Sequence, residues 1–182
     1  MGSKQSSGDS HRKRYARWQN LAPISTRILA SGVESQLVPI LETHNFQRVD
    51  IVLGQSDWPV SGRELRLERR FEKLIDSITF NFQKYGAARV QVHCSRRAAE
   101  MPNAFVRSAN LVARSDQYYH FWGKPWWLPS KFWSGNASRR TIDRIGGLLD
   151  QVLRFIETEE RGANISRPTG ASLDRRPNSG AG

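Results

Sequence analysis

His93, in the stretch VHCSR, is the first side chain whose type and setting could do chemistry. A His-x-Ser unit on a strand can set an imidazole against a phosphate. Two such units facing each other would supply acid and base. The pair needs a second copy, and His44, followed by Asn45 and Phe46, and His120, followed by Phe121 and Trp122, do not provide one. What remains is a histidine exposed on the polar side of a strand.

Asp76 and Lys84 bracket a strand in a basic protein, which raises metal-dependent nuclease chemistry. That chemistry needs acidic ligands converging on a divalent ion, with a lysine polarising the attacking water. The strand positions after Asp76 are Thr79, Asn81 and Gln83, so no second carboxylate is supplied and an ion would be poorly held. Asp76 is then expected at a solvated strand edge. Cys94 alternates in phase with Val90 and Val92, which points it inward and away from His93, as a packing residue. The chain contains no P-loop, GxGxxG, GxSxG or HExxH. No catalytic residue, metal site or cofactor follows from the sequence.

Binding chemistry is better represented. Arg66, Arg69, Arg70, Arg96 and Arg97 lie in LRLERRFEK and CSRR. Aligned on one sheet face they could cradle phosphates or meet carboxylates of a partner, unless Glu64, Glu68 and Glu72 pair with them first. The stretch YYHFWGKPWWLPSKFW, residues 118–133, holds eight of the eighteen aromatic rings in the chain. Gly123, Pro125 and Pro129 force turns there, so the segment is expected to fold back as a lid on the core. Adjacent Trp126 and Trp127 cannot both point inward. These two and Trp133 are therefore candidates for an exposed aromatic patch. At the N-terminus, HRKRYARW interleaves Arg12, Lys13, Arg14 and Arg17 with Tyr15 and Trp18, a combination suited to phosphate contact plus stacking.

The elements that must position these groups are legible from periodicity. Ser31 and Glu34 have capping-box spacing ahead of Val33, Leu37 and Leu41, with Pro39 either kinking one helix or opening a second. Ile24 and Ile28 could begin an earlier turn. Alternation then marks strands: Val49, Ile51 and Leu53; Leu65, Leu67 and Phe71, broken at Arg69; Ile78, Phe80 and Phe82; and Val90, Val92 and Cys94. QKYGA suits a hairpin between the last two. Residues 98–117 are compatible with a fifth strand or a short helix. Ile142, Ile145, Leu148, Leu149, Val152 and Ile156 trace a helix from about Ser138 to Glu160, with a stop expected at Gly162. The expected fold class is α+β: an antiparallel sheet of four to five strands, with an N-terminal helix and a long C-terminal helix on one face.

Composition sets the outer bounds. One domain fits 182 residues, and the single cysteine excludes an intramolecular disulfide and any multi-cysteine zinc site. No apolar run approaches about eighteen residues, and the N-terminus has no hydrophobic secretion segment, so a cytoplasmic protein without membrane contact is expected. Of the net charge of +11, residues 1–19 carry +4, residues 161–182 carry +3 and residues 20–160 carry +4. Both ends read as disordered basic tails flanking a domain over 20–160.

The order of ILETHNF, then strands including IDSITFNFQK, then a late aromatic segment before a final helix resembles small bacterial α+β domains of unknown function. These are of the immunity- or defence-associated type, and the resemblance spans about residues 33–160. It implies no activity and assigns no functional residue. The function expected is a non-catalytic binding module, using an aromatic and arginine surface with basic tails. Its partner would be nucleic acid, bound through Arg12, Lys13, Arg14, Arg17, Trp18, Arg69, Arg96, Arg97, Trp126, Trp127 and Trp133. The alternative is an immunity- or inhibitor-type protein that binds one cognate protein.

Overall fold

The computed structural model describes residues 8–50, 63–82, 88–100, 105–113, 120–124, 129 and 135–166, with side chains from His11 onward. It is an α+β fold built on a single antiparallel sheet. Strands β1 (Gln47–Val49), β2 (Glu64–Phe71), β3 (Leu74–Phe82), β4 (Arg89–Ala98) and β5 (Phe105–Leu111) follow one another in space as in sequence. A short β6 (Phe121–Trp122) pairs with the start of β4, at Arg89 and Val90. The segment 98–117 thus contributes a strand, β5. The proposed strand positions Ile51 and Leu53 and the QKYGA turn lie outside the described residues.

Register explains the core. Leu67, Ile78, Cys94 and Ala109 are matched across β2 to β5, as are Leu65, Phe80, Val92 and Leu111. All eight are buried on one face. Helices cover that face: α1 (Gly8–Leu21), α2 (Ile24–Gly32), α3 (Val38–Thr43), α4 (Asn136–Gly146) and α5 (Leu149–Thr158). Phe71 is in phase with Leu65 and Leu67 but lies at the hairpin end and is 62% exposed. The two residues of that hairpin, Glu72 and Lys73, join Phe71 to Leu74, with Glu72 at φ 52°.

Residues 24–43 form one continuous helical run rather than starting at Ser31. Ser31 and Glu34 make no cap. A π-helical turn, Val33–Leu37, connects α2 to α3, and the Val38 N–H donates to the Val33 carbonyl five residues back. The cause is Pro39, which has no N–H and whose ring would strike the carbonyl four residues before it in a straight α-helix. The wider turn keeps Val33, Leu37 and Leu41 all buried. The C-terminal helix is likewise two helices, interrupted after Gly146. Its stop is Glu159 in a left-handed conformation, φ 65°, and not Gly162.

Two close approaches fix α4. A Cβ on Gly32 would sit 2.9 Å from Ile142 Cγ1, so α2 and α4 touch at the backbone of α2. A Cβ on Gly123 would sit 2.7 Å from Ser138 Oγ. Ser138 Oγ donates to the Gly123 carbonyl at 3.1 Å, and Thr141 Oγ1 donates to the Trp122 carbonyl at 2.7 Å, tying α4 to β6.

Both expected disordered ends are in part ordered. Residues 8–19 are helical, because His11, Tyr15, Trp18 and Ala22 recur at helical spacing and face the core; Tyr15 is 2% exposed. At the other end, Val112 N–H donates to Asn164 O at 2.8 Å, and Ser166 N–H to Asn110 O at 2.9 Å. Ile165 pairs across from Leu111, so the chain runs on as an extra edge beside β5. The described residues therefore begin at 8 and end at 166, outside the expected bounds of 20 and 160. Among the described residues no helix is long and apolar enough to cross a membrane.

Candidate nucleic-acid interface

The arginines proposed as a sheet-face cradle are divided between two faces by the register. Arg69, Asp76, Arg96 and Arg107 form one row across β2 to β5, on the helix-covered side. Asp76 is 1% exposed and lies in the core layer, not at a solvated edge. Arg96 grips it in bidentate fashion, Nε to Oδ1 at 2.6 Å and Nη2 to Oδ2 at 2.9 Å, while Arg69 Nε reaches Oδ2 at 2.9 Å. Arg69 also pairs with Glu157 at 2.7 Å and lies over the Phe46 ring. Arg107 pairs with Glu159 at 2.7 Å and donates to the Ile156 carbonyl, near the negative end of α5. Hydrogen bonding to Asp76 raises the Arg96 pKa above its already high ordinary value. These charges close the open end of the core.

The opposite face carries Arg66, Thr79, His93 and Asn110 in one row and Glu68, Ser77, Ser95 and Ser108 in the next. Arg97 Nη2 donates to Glu68 Oε1 at 3.1 Å, and Ser77 and Ser95 share a hydroxyl contact at 2.9 Å. His93 Nδ1 lies 3.2 Å from Asn110 Oδ1, and Nε2 lies 3.5 Å from Ser108 Oγ. With Nδ1 donating, Nε2 can accept from the hydroxyl, which is the pattern of a neutral imidazole. Burial pushes the His93 pKa down, Arg66 adds to that, and Asn110 opposes it. His93 is thus half-buried and held by amide and hydroxyl groups, rather than exposed.

Cys94 is buried with Sγ donating to the Ala109 carbonyl, and burial pushes its pKa up to about 12. It is inert packing. Arg69, Arg96 and Arg97, three of the expected binding residues, are therefore occupied by carboxylates of the same chain. The partners are mostly Asp76 and Glu68, where Glu64, Glu68 and Glu72 had been expected.

The aromatic candidates separate in a similar way. Trp18 packs on the core with its ring 5.3 Å from Phe82 and 5.5 Å from Tyr15, so it is not a stacking platform. Phe121 is buried, and Trp122 carries the Arg89 guanidinium 4.9 Å from its ring centre; most of the segment expected to form a lid lies outside the described residues. Burial lowers the pKa of Arg89, and burial together with Arg89 lowers that of His120. Trp126, Trp127 and Trp133 lie outside the described residues.

The outer surface of the helices holds the cations that sequence reasoning did not assemble. α2 contacts both α1 and α4. Together the three helices carry Arg12, Lys13, Arg14, Arg17, Arg27, Arg139, Arg140 and Arg144 against Asp9 and Asp143, a net of +6. By contrast α3 and α5 are each net −1, from Glu42 alone and from Asp150 and Glu157 against Arg154. Arg12 and Lys13 are exposed on α1, and Arg12 pairs with Asp50 at 2.7 Å. Arg144 donates to the Ala113 carbonyl and Arg139 to Asn136. Arg17, Arg27 and Arg140 are exposed and make no ion pair among the described residues. Helical spacing could have found the α1 half: the inward stripe of His11, Tyr15, Trp18 and Ala22 leaves Lys13 and Arg17 outside. The pairing of α2 with α4 depends on tertiary packing.

Below this surface, His11 is buried, and its Nε2 has no hydrogen-bond partner among the described residues. Burial lowers its pKa, against the opposing pull of Glu64 and Asp50. A neutral imidazole there adds no charge to the underside of α1. Comparison with family models, with curated proteins and with solved structures finds no match.

Proposed function

We propose that the protein is a non-catalytic binding module that holds nucleic acid by its phosphates, through the outer surface of α1, α2 and α4. The observation that carries this reading is the charge of +6 on three contiguous helices, whereas Arg69, Arg96 and Arg97 of the sheet are each paired with a carboxylate of the same chain. A duplex presents a dense row of phosphates, and each cation placed on it releases condensed counterions. Compared with the sequence-based expectation, the basic arm and the nucleic-acid partner are kept. The stacking role of Trp18 and the cradle of Arg69, Arg96 and Arg97 are dropped.

Salt titration of binding to a short duplex tests this directly. Affinity should fall linearly with salt on logarithmic axes, and substituting Arg17, Arg27 and Arg140 together by alanine should reduce the slope by about 2 to 3. A slope unchanged by the triple substitution, or no binding at about 50 mM salt, would overturn the proposal. The alternative, one cognate protein held in an immunity- or inhibitor-type complex, would show as tight association only weakly sensitive to salt.

A further inference from the structure

The corner between α1 and α2 carries two large apolar side chains that the fold does not use. Leu21 is 78% exposed and Ile24 is 54% exposed, with Pro23 exposed between them. The corner is firmly built. Ala22 N–H donates to Trp18 O at 2.9 Å, and the N–H groups of Thr26 and Arg27 donate to Pro23 O at 2.9 and 3.0 Å. Directly beneath, Ala22, Ser25 and Thr26 are buried. The tip is therefore a rigid projection, since its backbone is hydrogen-bonded on both sides.

Cations stand on either side of it. Arg17 precedes Leu21 by four residues on α1 and Arg27 follows Ile24 by three on α2, so each lies beside the tip on its own helix. Those spacings correspond to about 6 Å and about 4.5 Å along the helix axes. Both are comparable to one or two base steps of about 3.4 Å. α2 contacts both α1 and α4, so the exposed Arg139 and Arg140 of α4 stand one helix further on, at an interaxial distance of about 8–10 Å, on the order of two to three base steps.

From this arrangement we infer that the protein binds duplex rather than single-stranded nucleic acid, and that Leu21 and Ile24 wedge into a base step while the arginines hold the flanking phosphates. The inference rests on the nucleic-acid reading above and names its substrate class. Apolar wedges of Leu, Ile or Pro, placed between cationic contacts, are a general means of unstacking a step and kinking a duplex. An anionic membrane is the other surface that accepts an apolar tip with cationic flanks. Two side chains, however, offer less apolar surface than one fourteen-carbon acyl chain, itself only a marginal anchor. α2, which carries Ile24 of the tip, also packs on α4, which adds Arg139, Arg140 and Arg144 to the cations available to a duplex.

The test uses the full chain and a 20-base-pair duplex carrying 2-aminopurine at one step and a fluorophore pair at its ends. Binding should raise 2-aminopurine emission and shorten the end-to-end distance. In Leu21→Ala/Ile24→Ala, both signals should be lost and affinity should fall about tenfold, while the salt slope, set by the cations, is retained. Tighter binding of a single strand than of the duplex, or unstacking that persists in the double variant, would overturn the wedge while leaving the phosphate-binding surface standing. So would recovery of the protein with phosphatidylserine vesicles in a Leu21- and Ile24-dependent manner without duplex unstacking. Failure of wild type to bind any duplex at low salt would overturn both readings.

Discussion

Asp76 and Arg96 face each other across β3 and β4 as a two-point pair, at 2.6 and 2.9 Å, inside the helix-covered layer of the sheet. Asp76 has a second guanidinium, that of Arg69, on its other side. Removing the carboxylate leaves the partly buried Arg96 guanidinium without its two-point partner, beside that of Arg69, which keeps the half-exposed Glu157 as its carboxylate. Breaking such a pair from one side costs about 3–5 kcal/mol, because the orphaned charge stays desolvated. Asp76→Ala should therefore lower the urea midpoint by that equivalent, with the denaturant slope unchanged. Asp76→Leu combined with Arg69→Met and Arg96→Met should recover most of the loss, since apolar groups of similar volume can replace a buried ionic cluster.

Stability should fall as pH is lowered from neutrality, before the carboxylates titrate. The His93 pKa is lowered in the fold, so the unfolded chain takes up the proton first. Its stabilising contribution is complete above the ordinary value of 6.5 and is lost as pH falls from there toward the folded pKa. The groups around it act in the stated directions: Arg66 on β2 lowers the pKa further, Asn110 on β5 raises it, and Ser108 on β5 fits the neutral form. The slope cannot exceed about 1.4 kcal/mol per pH unit for one proton. Chemical denaturation between pH 5 and pH 7.5 should show it, and His93→Asn, which keeps an amide at the Asn110 side, should flatten the profile. His11 and His120 are shifted in the same direction and would leave a residual slope.

Glu72 offers a gain in stability. It occupies the first position of the two-residue hairpin between β2 and β3 at φ 52°, a left-handed conformation that costs an ordinary side chain about 1 kcal/mol. Two-residue hairpins favour glycine or asparagine there because their twist demands positive φ. Glu72→Gly should raise the thermal midpoint by several degrees, corresponding to about 0.5–1 kcal/mol. An unchanged or lowered midpoint would show that the Glu72 side chain contributes more than its backbone conformation costs.

The same residue shows where the sequence was silent. Strand phases at Leu65, Ile78 and Val92 follow from alternation alone, because a face-selective sheet writes itself with period two. The turn at Glu72 and Lys73 carries no glycine, asparagine or proline, so nothing local marks it. Asp76 and Arg69 are in phase with buried leucines and phenylalanines, yet alternation treats a charge as a break. Only the cross-strand register reveals that these breaks match one another. The helical stripe of His11, Tyr15 and Trp18 was present in the sequence but was masked by charge, since five cations within the first nineteen residues read as a tail. The basic surface was legible by halves: α1 from its own spacing, but α2 and α4 only once Gly32 is seen to admit Ile142.

Because α1 is both a packing element and the basic surface, its two faces should separate in experiment. Tyr15 is almost fully buried, its ring 6.4 Å from Phe82, and burial beside the Glu34 carboxylate raises its pKa far above the ordinary tyrosine value. Tyr15→Ala should cost about 3–5 kcal/mol, the range of buried aromatic truncations. Arg17→Ala, on the solvent side, should change stability by about 0.5 kcal/mol or less. On duplex binding the order reverses: Arg17→Ala should take close to one unit from the salt slope. Tyr15→Phe, which keeps the ring, should leave the slope as it is. Thermal unfolding and salt titration on these variants decide the matter. Equal loss of slope in Tyr15→Phe and Arg17→Ala would mean that α1 acts on the ligand through its packing and not through its cations.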